Sequence, residues 1–323
     1  MKQQKPLEIV IISGKGGTGK TTITASLADI IPDKIVIDAD VDAANLYLLM
    51  SPENISGTDF KGKSLAVINR EICVSCNRCR ELCRFHAIAV KDGYYQVDDL
   101  SCDGCGLCEI ACPVKAVEMH EQVVGQWFTA DTAFGDFIYA RLKPGAENSG
   151  SLVARVKQEG KQRAEEKGRR FILVDGPPGI GCPVIAAVSG AHLAIIVTEP
   201  TYSGISDLER VFALVNHFKI NCGIVINRWD INPENTRNIE VFAREKGVPV
   251  YARIPHSSCI IDAISQGNLP GRGCEVLARE VEQIYKYIQK QAMGNPLDYE
   301  KFFRGFRGAV FQKSPPGRRR QKN

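Results

Sequence analysis

The chain has 323 residues, 44% of them apolar, and a formal net charge of +4. That length gives room for roughly two domains with a buried core, and so small a charge does not by itself point to nucleic acid. No apolar run approaches the ~20 residues of a membrane span, and the short apolar run after the basic start is too brief and wrongly flanked for a secretory leader. Twelve cysteines in such a chain suggest metal ligation in a reducing cytoplasm rather than disulfides.

In chain order, residues 7–13 read as a buried strand that runs into Gly14-Lys15-Gly16-Gly17-Thr18-Gly19-Lys20-Thr21-Thr22. Residues 21–31 read as the following helix and residues 34–38 as a second strand, ending in Asp38-Ala39-Asp40-Val41-Asp42. A strand, then Gly-x4-Gly-Lys-Thr, then a helix is the context that confirms a phosphate-binding loop. Its glycines let successive backbone N–H groups turn toward a phosphate, and the helix end adds a positive dipole. Lys20 is expected to reach the β- and γ-phosphates, and the Thr21 hydroxyl to ligate Mg²⁺.

Residues 61–122 differ in character, dense in cysteine and without helical periodicity. Cys73, Cys76, Cys79 and Cys83 repeat as Cys102, Cys105, Cys108 and Cys112, with Pro113 following the second run. Cys-x2-Cys-x2-Cys-x3-Cys is the bacterial ferredoxin run, in which the fourth cysteine of each run serves the other cluster. One [4Fe–4S] centre is therefore expected on Cys73, Cys76, Cys79 and Cys112, and the other on Cys83, Cys102, Cys105 and Cys108. The same 29-residue offset pairs Ala87 with Ala116 and Ile88 with Val117, which predicts two half-domains about a pseudo-twofold axis. Zinc is the alternative, although its sites usually present pairs of ligands across a longer spacer. A purely structural pair of clusters is another. Arg84 stands where proline usually follows Cys83, so a cation beside that centre should raise its potential.

Beyond the insert, residues 151–167 read as a polar helix and 171–174 as a strand leading into Asp175-Gly176-Pro177-Pro178-Gly179. Strands are then expected at 193–197, 223–226 and 248–251, alternating with helices at 203–218, 233–246 and 274–290. Such alternation indicates a mainly parallel, doubly wound α/β sheet. The simplest organisation has an ATPase domain in two parts, 1–60 and 123–294. The insert at 61–122 interrupts it, and a tail at 295–323 follows. In the tail, Tyr299, Phe302, Phe303, Phe306 and Val310 would share a helical face. That face reads either as a peripheral membrane contact or as packing back onto the domain. The basic end, residues 315–322, is expected to be disordered.

The glycine loop, with its early Lys15, resembles the deviant Walker A of the MinD/ParA group, which also takes in Mrp-type cluster carriers and the nitrogenase iron protein. Together with the cysteine insert, residues 7–290 resemble MinD-superfamily P-loop ATPases that carry an inserted ferredoxin domain. The fold implied is a doubly wound P-loop NTPase sheet with a bacterial-type two-cluster ferredoxin (α+β) domain. The resemblance implies an ATP-sandwich homodimer in which Lys15 contacts the partner's nucleotide; the alternative for Lys15 is a solvated loop charge. It makes Asp38 and Asp40 switch I, with Asp40 orienting the attacking water. It makes Asp175 the Walker B carboxylate near Mg²⁺ and Gly179 part of switch II. Asn227 and Pro255 match the family's adenine side. Carboxylates at strand ends also cap helices, and Asp42 is read that way.

Cys182 lies seven residues beyond Asp175, where the nitrogenase iron protein has a cluster ligand; the preferred reading is a buried thiol. Cys222, Cys259 and Cys274 read as structural, and His86 and His120 as polar loop residues. Three functions follow as expectations. The first is a cytoplasmic ATPase that couples a dimer switch to electron transfer toward an acceptor protein. The second is an ATP-dependent assembly or carrier factor for iron–sulfur or other metal centres. The third is a spatial organiser on membrane or nucleoid. Shared fold alone does not choose among them.

Overall fold

The computed structural model describes residues 5–145 and 149–293. Strand β1 (Leu7–Ser13) is wholly buried. Ile9 and Ile11 face one core, Val10 and Ile12 the other, the two-sided burial of a central parallel strand. Helix α1 (Lys20–Ile30) starts from Gly19, whose φ of 95° gives the left-handed turn that lets the loop fold under the helix end. Then come β2 (Lys34–Asp38) and the short α2 (Leu46–Met50).

Strand β3 (Glu53–Ile68) is 16 residues long, exposed along its first part and half-buried toward its end, where Ala66 is buried. It leads to α3 (Arg78–Leu82), the hairpin β4 (Ile88–Lys91) and β5 (Tyr94–Val97), and α4 (Leu107–Ala111). The chain returns along β6 (Val117–Thr132) and turns into β7 (Gly135–Leu142). Next are α5 (Ser149–Glu166), β8 (Phe171–Pro178), α6 (Cys182–Val188) and β9 (Leu193–Thr198). The last part is α7 (Tyr202–His217), β10 (Asn221–Asn227), α8 (Pro233–Glu245), β11 (Val250–Ile254), α9 (Ser258–Ser265), α10 (Pro270–Gly273) and α11 (Glu275–Met293).

Among the described residues, nine strands form one sheet in the order β11-β10-β9-β1-β8-β2-β7-β6-β3. The strands from β11 to β7 pair in parallel; β6 and β3 are antiparallel additions. One face is covered by Ile23 and Leu27 of α1 with Leu277 and Ile284 of α11. Leu152 and Val156 of α5, Val188 of α6, Val211 of α7 and Ile239 of α8 cover the other. The order reverses at β1 and β8, and a doubly wound sheet places its ligand at the strand ends of that reversal.

Five strands, β3 to β7, have no counterpart among the strands expected from the sequence, and the boundaries expected at 60/61 and 122/123 fall inside β3 and β6. The outer lengths of β3 and β6 run beyond the sheet as a two-stranded ribbon that carries the insert. β7 pairs with β6 only as far as Gly125↔Leu142. At that point the β3–β6 register shifts, between Phe60 and Lys61 and again before Ser64. Such bulges bend and twist a ribbon.

The insert is built as a repeat. Helices α3 and α4 lie 29 residues apart at both ends. Cys73 N–H donates to Asn69 O (3.1 Å) as Cys102 N–H does to Asp98 O (2.9 Å). Asn69 N–H donates to Ala116 O and Asp98 N–H to Ala87 O, both at 2.7 Å, so each half closes on the other. Ala87, Ile88, Ala116 and Val117 are buried where the halves meet.

Two cysteine assignments change. Cys259 and Cys274, read as structural in a chain where metal ligation was expected rather than disulfides, are bonded to each other with Cα atoms 5.4 Å apart, which ties α9 to the start of α11. Cys182, read as buried, is exposed at the start of α6. Cys222 keeps a half-buried structural position, and burial pushes its thiol up to about 11. His120 lies in β6 rather than in a loop. Residues 295–323, including the aromatic face and the basic end, lie outside the described residues. Among the described residues, no helix is long and apolar enough to cross a membrane.

Candidate functional site

Parallel pairing of β2 with β8 sets Asp38 directly beside Asp175, both fully buried at the strand ends under the glycine loop. Asp175 accepts hydrogen bonds from Thr21 Oγ1 (2.7 Å) and Thr24 Oγ1 (2.9 Å). Asp38 accepts from the backbone N–H groups of Asp40 and Leu46, each at 3.1 Å. Burial, and then the charge of Asp175, holds the Asp38 carboxyl well above the usual carboxylate range. Burial raises Asp175 to about 6, against the Thr21 and Thr24 hydroxyls and the Lys20 charge. Asp40, half-buried, is raised by burial and pulled back by Lys20.

Lys20 is buried and donates to Ser13 Oγ at 3.0 Å; desolvation lowers its pKa although Asp175, Asp40 and Asp38 oppose that. Two adjacent buried carboxylates repel, and a hard divalent cation with oxygen ligands relieves both burial and repulsion. Thr18 Oγ1 is buried without a hydrogen-bond partner in the loop. The space that a side chain at Gly16 or Gly17 would occupy is open. An orphaned hydroxyl, an open glycine cradle and a buried lysine fit a polyphosphate with Mg²⁺.

The other expected nucleotide contacts are placed as follows. Gly179, with φ of 93°, donates its N–H to Ser13 O at 2.8 Å, which docks the segment after Asp175 against the loop. Gly19, Thr22, Asn227, Ile254 and Pro255 line one pocket with Ile260 and Leu277. Within it, Asn227 Nδ2 donates to Thr18 O (2.8 Å) and its Oδ1 accepts from Arg228 N–H (3.0 Å). Asn227 thus braces the phosphate loop as well as lining this pocket. Lys15 turns to its own chain: its Nζ lies 3.4 Å from Glu199 Oε2, 3.2 Å from Thr201 Oγ1 and 3.3 Å from Ser203 Oγ. Glu199, buried at the end of β9, also pairs with Arg228 at 2.5 Å. Sequence reasoning missed Ser13, Thr24, Glu199 and Arg228. Glu199 carried a usable signal, a carboxylate just past a strand's C-terminal end.

The eight insert cysteines divide between two pockets. One is lined by Cys73, Cys76, Cys79 and Cys112 with Ile68, Tyr95, Val114 and Val117. The other is lined by Cys83, Cys102, Cys105 and Cys108 with Leu82, Phe85, Ile88 and Met119. In each, three cysteines come from one run and the last from the other. Burial raises the thiols of Cys79 and Cys108, which occupy equivalent places in the repeat. Ala116 N–H donates to Cys112 Sγ at 3.1 Å. Among the described residues, no three His, Cys, Asp or Glu side chains are gathered as a single metal ion requires.

A roomy groove lies elsewhere, between α5 and α6, lined by Cys182, Glu8 and Lys157 among others. Lys157 ion-pairs with Glu8 at 2.7 Å and donates to the carbonyls of Ala186, Ala187 and Ser189, so its charge caps α6 and is a packing device.

Comparison with known proteins agrees with the sheet and loop. The profile of the CobQ/CobB/MinD/ParA nucleotide binding domain matches residues 9–270. An uncharacterized protein of Methanocaldococcus jannaschii is 35% identical over 239 residues, 71% of this chain and 80% of that one. A putative septum site-determining protein MinD of Nephroselmis olivacea is 27% identical over 270 residues, 80% of this chain and 77% of its own. The septum site-determining protein MinD of Pyrococcus horikoshii, solved with Mg-ADP, superposes with a TM-score of 0.55 at 19% identity over 89% of this chain and 97% of that one. These comparisons speak for a MinD/ParA-type ATPase and stand nearer to the spatial-organiser reading than to electron transfer.

Proposed function

Because the chain belongs to the CobQ/CobB/MinD/ParA nucleotide-binding family, we propose that it is an ATP-driven dimer switch whose insert holds two [4Fe–4S] clusters and passes electrons under nucleotide control. At the loop, Lys20 and the glycine N–H groups neutralise and position the phosphates, which is most of what phosphoryl transfer asks of a protein. Thr21, Asp38 and Asp175 are the residues that would hold Mg²⁺. Asp40, half-buried beside them, would orient the attacking water. The solved relative from P. horikoshii carries Mg-ADP, which favours the same pairing here. Lys15 must leave Glu199 to reach a partner's nucleotide, so dimerisation and release of that contact are linked.

A single observation supports the redox half: the swapped division of eight cysteines into two largely apolar pockets, three from one run and one from the other. Clusters so bound supply one-electron chemistry, with potentials set by charge, hydrogen bonds and exposure. The protein's part is to hold them apart from water and to move them. A route exists: Val41, between Asp40 and Asp42, accepts at its carbonyl from Leu142 N–H (3.3 Å), and Lys143 N–H donates to Val124 O (2.9 Å). Switch I is thereby joined to the ribbon at its bulged root.

The test is an oxygen-free preparation analysed for iron and sulfide, then reduced and examined by EPR with and without MgATP. About eight irons per chain and a nucleotide-dependent signal are expected. Zinc in place of iron refutes the redox half. Transfer of iron to an apo-acceptor would move the reading to assembly or carriage. The MinD relatives favour a second reading, a spatial organiser. ATP-dependent pelleting with liposomes or DNA, lost on removing residues 295–323, would establish it.

A further inference from the structure

The two ends of the insert differ in charge: the first carries Arg70, Arg78 and Lys115 against Glu71 and Glu81, the second Asp98, Asp99 and Asp103. Around the pocket of Cys73, Cys76, Cys79 and Cys112, Arg78 lines the wall. Arg70 and Lys115 flank the Asn69–Ala116 hydrogen bond at its mouth. All three are exposed, and among the described residues neither Arg78 nor Lys115 has a carboxylate at ion-pair distance. Between them stand Ile72, Val74 and Val114, exposed by 46%, 61% and 37%, together with the exposed Cys76.

The repeat makes the comparison with the other pocket direct. Position for position, Arg70 becomes Asp99, Val74 becomes Asp103, and Asn69 becomes Asp98 on the same backbone. The two ends also differ in place. The acidic end leans on the ribbon, since a Cβ on Gly104 would come within 2.3 Å of Ser64 O. Its pocket is lined by Ala66 and the other by Ile68, further out along β3. The basic end is thus the one remote from the ATPase sheet.

Resting on the cluster reading, we propose that this remote end is the docking surface for a small, acidic, low-potential electron-carrier protein. Cations in a ring steer an acidic partner and set its orientation. The aliphatic centre gives the dry contact that a protein partner needs; Tyr94, exposed by 49%, lies under the Arg70 guanidinium, 4.9 Å from its ring centroid, so a base-stacking partner is an outcome that the test includes. On docking, one electron would pass from the reduced carrier, which is oxidised, to the cluster that Cys73, Cys76, Cys79 and Cys112 would hold, which is reduced; no bond is made or broken. The pocket of Cys83, Cys102, Cys105 and Cys108, beside the ribbon, lies on the side of the ATPase sheet.

The experiment uses the full chain, shown to contain iron and sulfide, and a fluorophore-labelled acidic two-cluster bacterial ferredoxin as the probe. Fluorescence anisotropy reads binding, and stopped-flow absorbance reads reduction by that ferredoxin against reduction by dithionite. We expect affinity to fall about tenfold or more between low salt and about 0.5 M salt. The Arg70→Glu/Lys115→Glu variant should lose about tenfold in affinity and in ferredoxin-dependent rate, while Asp99→Lys loses neither. Equal binding by the two variants, loss on Asp99→Lys instead, or a DNA duplex that binds in place of the ferredoxin overturns the proposal. A chain that contains no iron refutes the cluster reading and the docking proposal together, whereas an iron-loaded chain with charge-independent binding refutes the docking proposal alone.

Discussion

Replacing Asp175 by Asn should stabilise the nucleotide-free protein near neutral pH while abolishing its response to MgATP. Asp175 is buried beside Asp38, and burial lifts its carboxyl from 3.8 to about 6. Between those values the folded chain holds a proton that the unfolded chain has released. Stability therefore falls as pH rises through that window, and the penalty is complete above about 6. The full penalty is roughly 3 kcal/mol, and Asn is free of it. Thr21 and Thr24 hydroxyls can donate or accept, so the amide keeps both contacts. The advantage of Asp175→Asn over the parent should widen by about 1.4 kcal/mol between about pH 5 and about pH 7.5. Calorimetric unfolding in EDTA at the two pH values measures the gap. Adding MgATP should raise the melting temperature of the parent alone, because binding to the folded state stabilises it by mass action. A gap that stays constant or narrows toward pH 7.5 would refute the account of this carboxylate pair.

Glu199→Gln removes the charge that holds Lys15 at 3.4 Å. Release of about 1 kcal/mol per protomer should tighten ATP-dependent dimerisation by roughly 30-fold, as read by analytical ultracentrifugation; unchanged or weaker association argues against the latch. Cys112→Ser and Cys83→Ser should each remove one centre's iron, Cys112→Ser acting with the 73–79 run and Cys83→Ser with the 102–108 run. EPR of the single-centre proteins reads the pairing, and a swap in the opposite sense would contradict it. Gly14→Ala places a methyl 2.3 Å from Asp207 Cβ and 2.8 Å from its carbonyl oxygen. Displacing the loop should cost about 1–3 kcal/mol and weaken ATP binding by about tenfold or more in calorimetric titration, and retention of parental affinity would refute the close approach.

Legibility differed from one element to another for physical reasons. The phosphate loop could be read because its function resides in consecutive backbone groups: Gly19 must turn left-handed and Lys20 must follow it. The central strands could be read because burial on both faces demands the apolar runs at Val10–Ile12 and Leu193–Val197. β3 could not. Its residues from Glu53 to Asp59 are exposed and bear no alternation, since an edge strand of a ribbon has little core to face. Glu199 and Thr24 acquired roles only when β9 and α1 were laid beside the loop.

The cysteine spacing and the loop composition, read alone, declare which chemistries the residues can enter, because donors within a few residues of one another are brought together by local chain geometry. Only the tertiary structure decided which end of the insert faces outward and that Lys15 rests on Glu199. Those choices join residues separated by dozens to nearly two hundred positions, and only the packing of strands against one another brings such residues into contact.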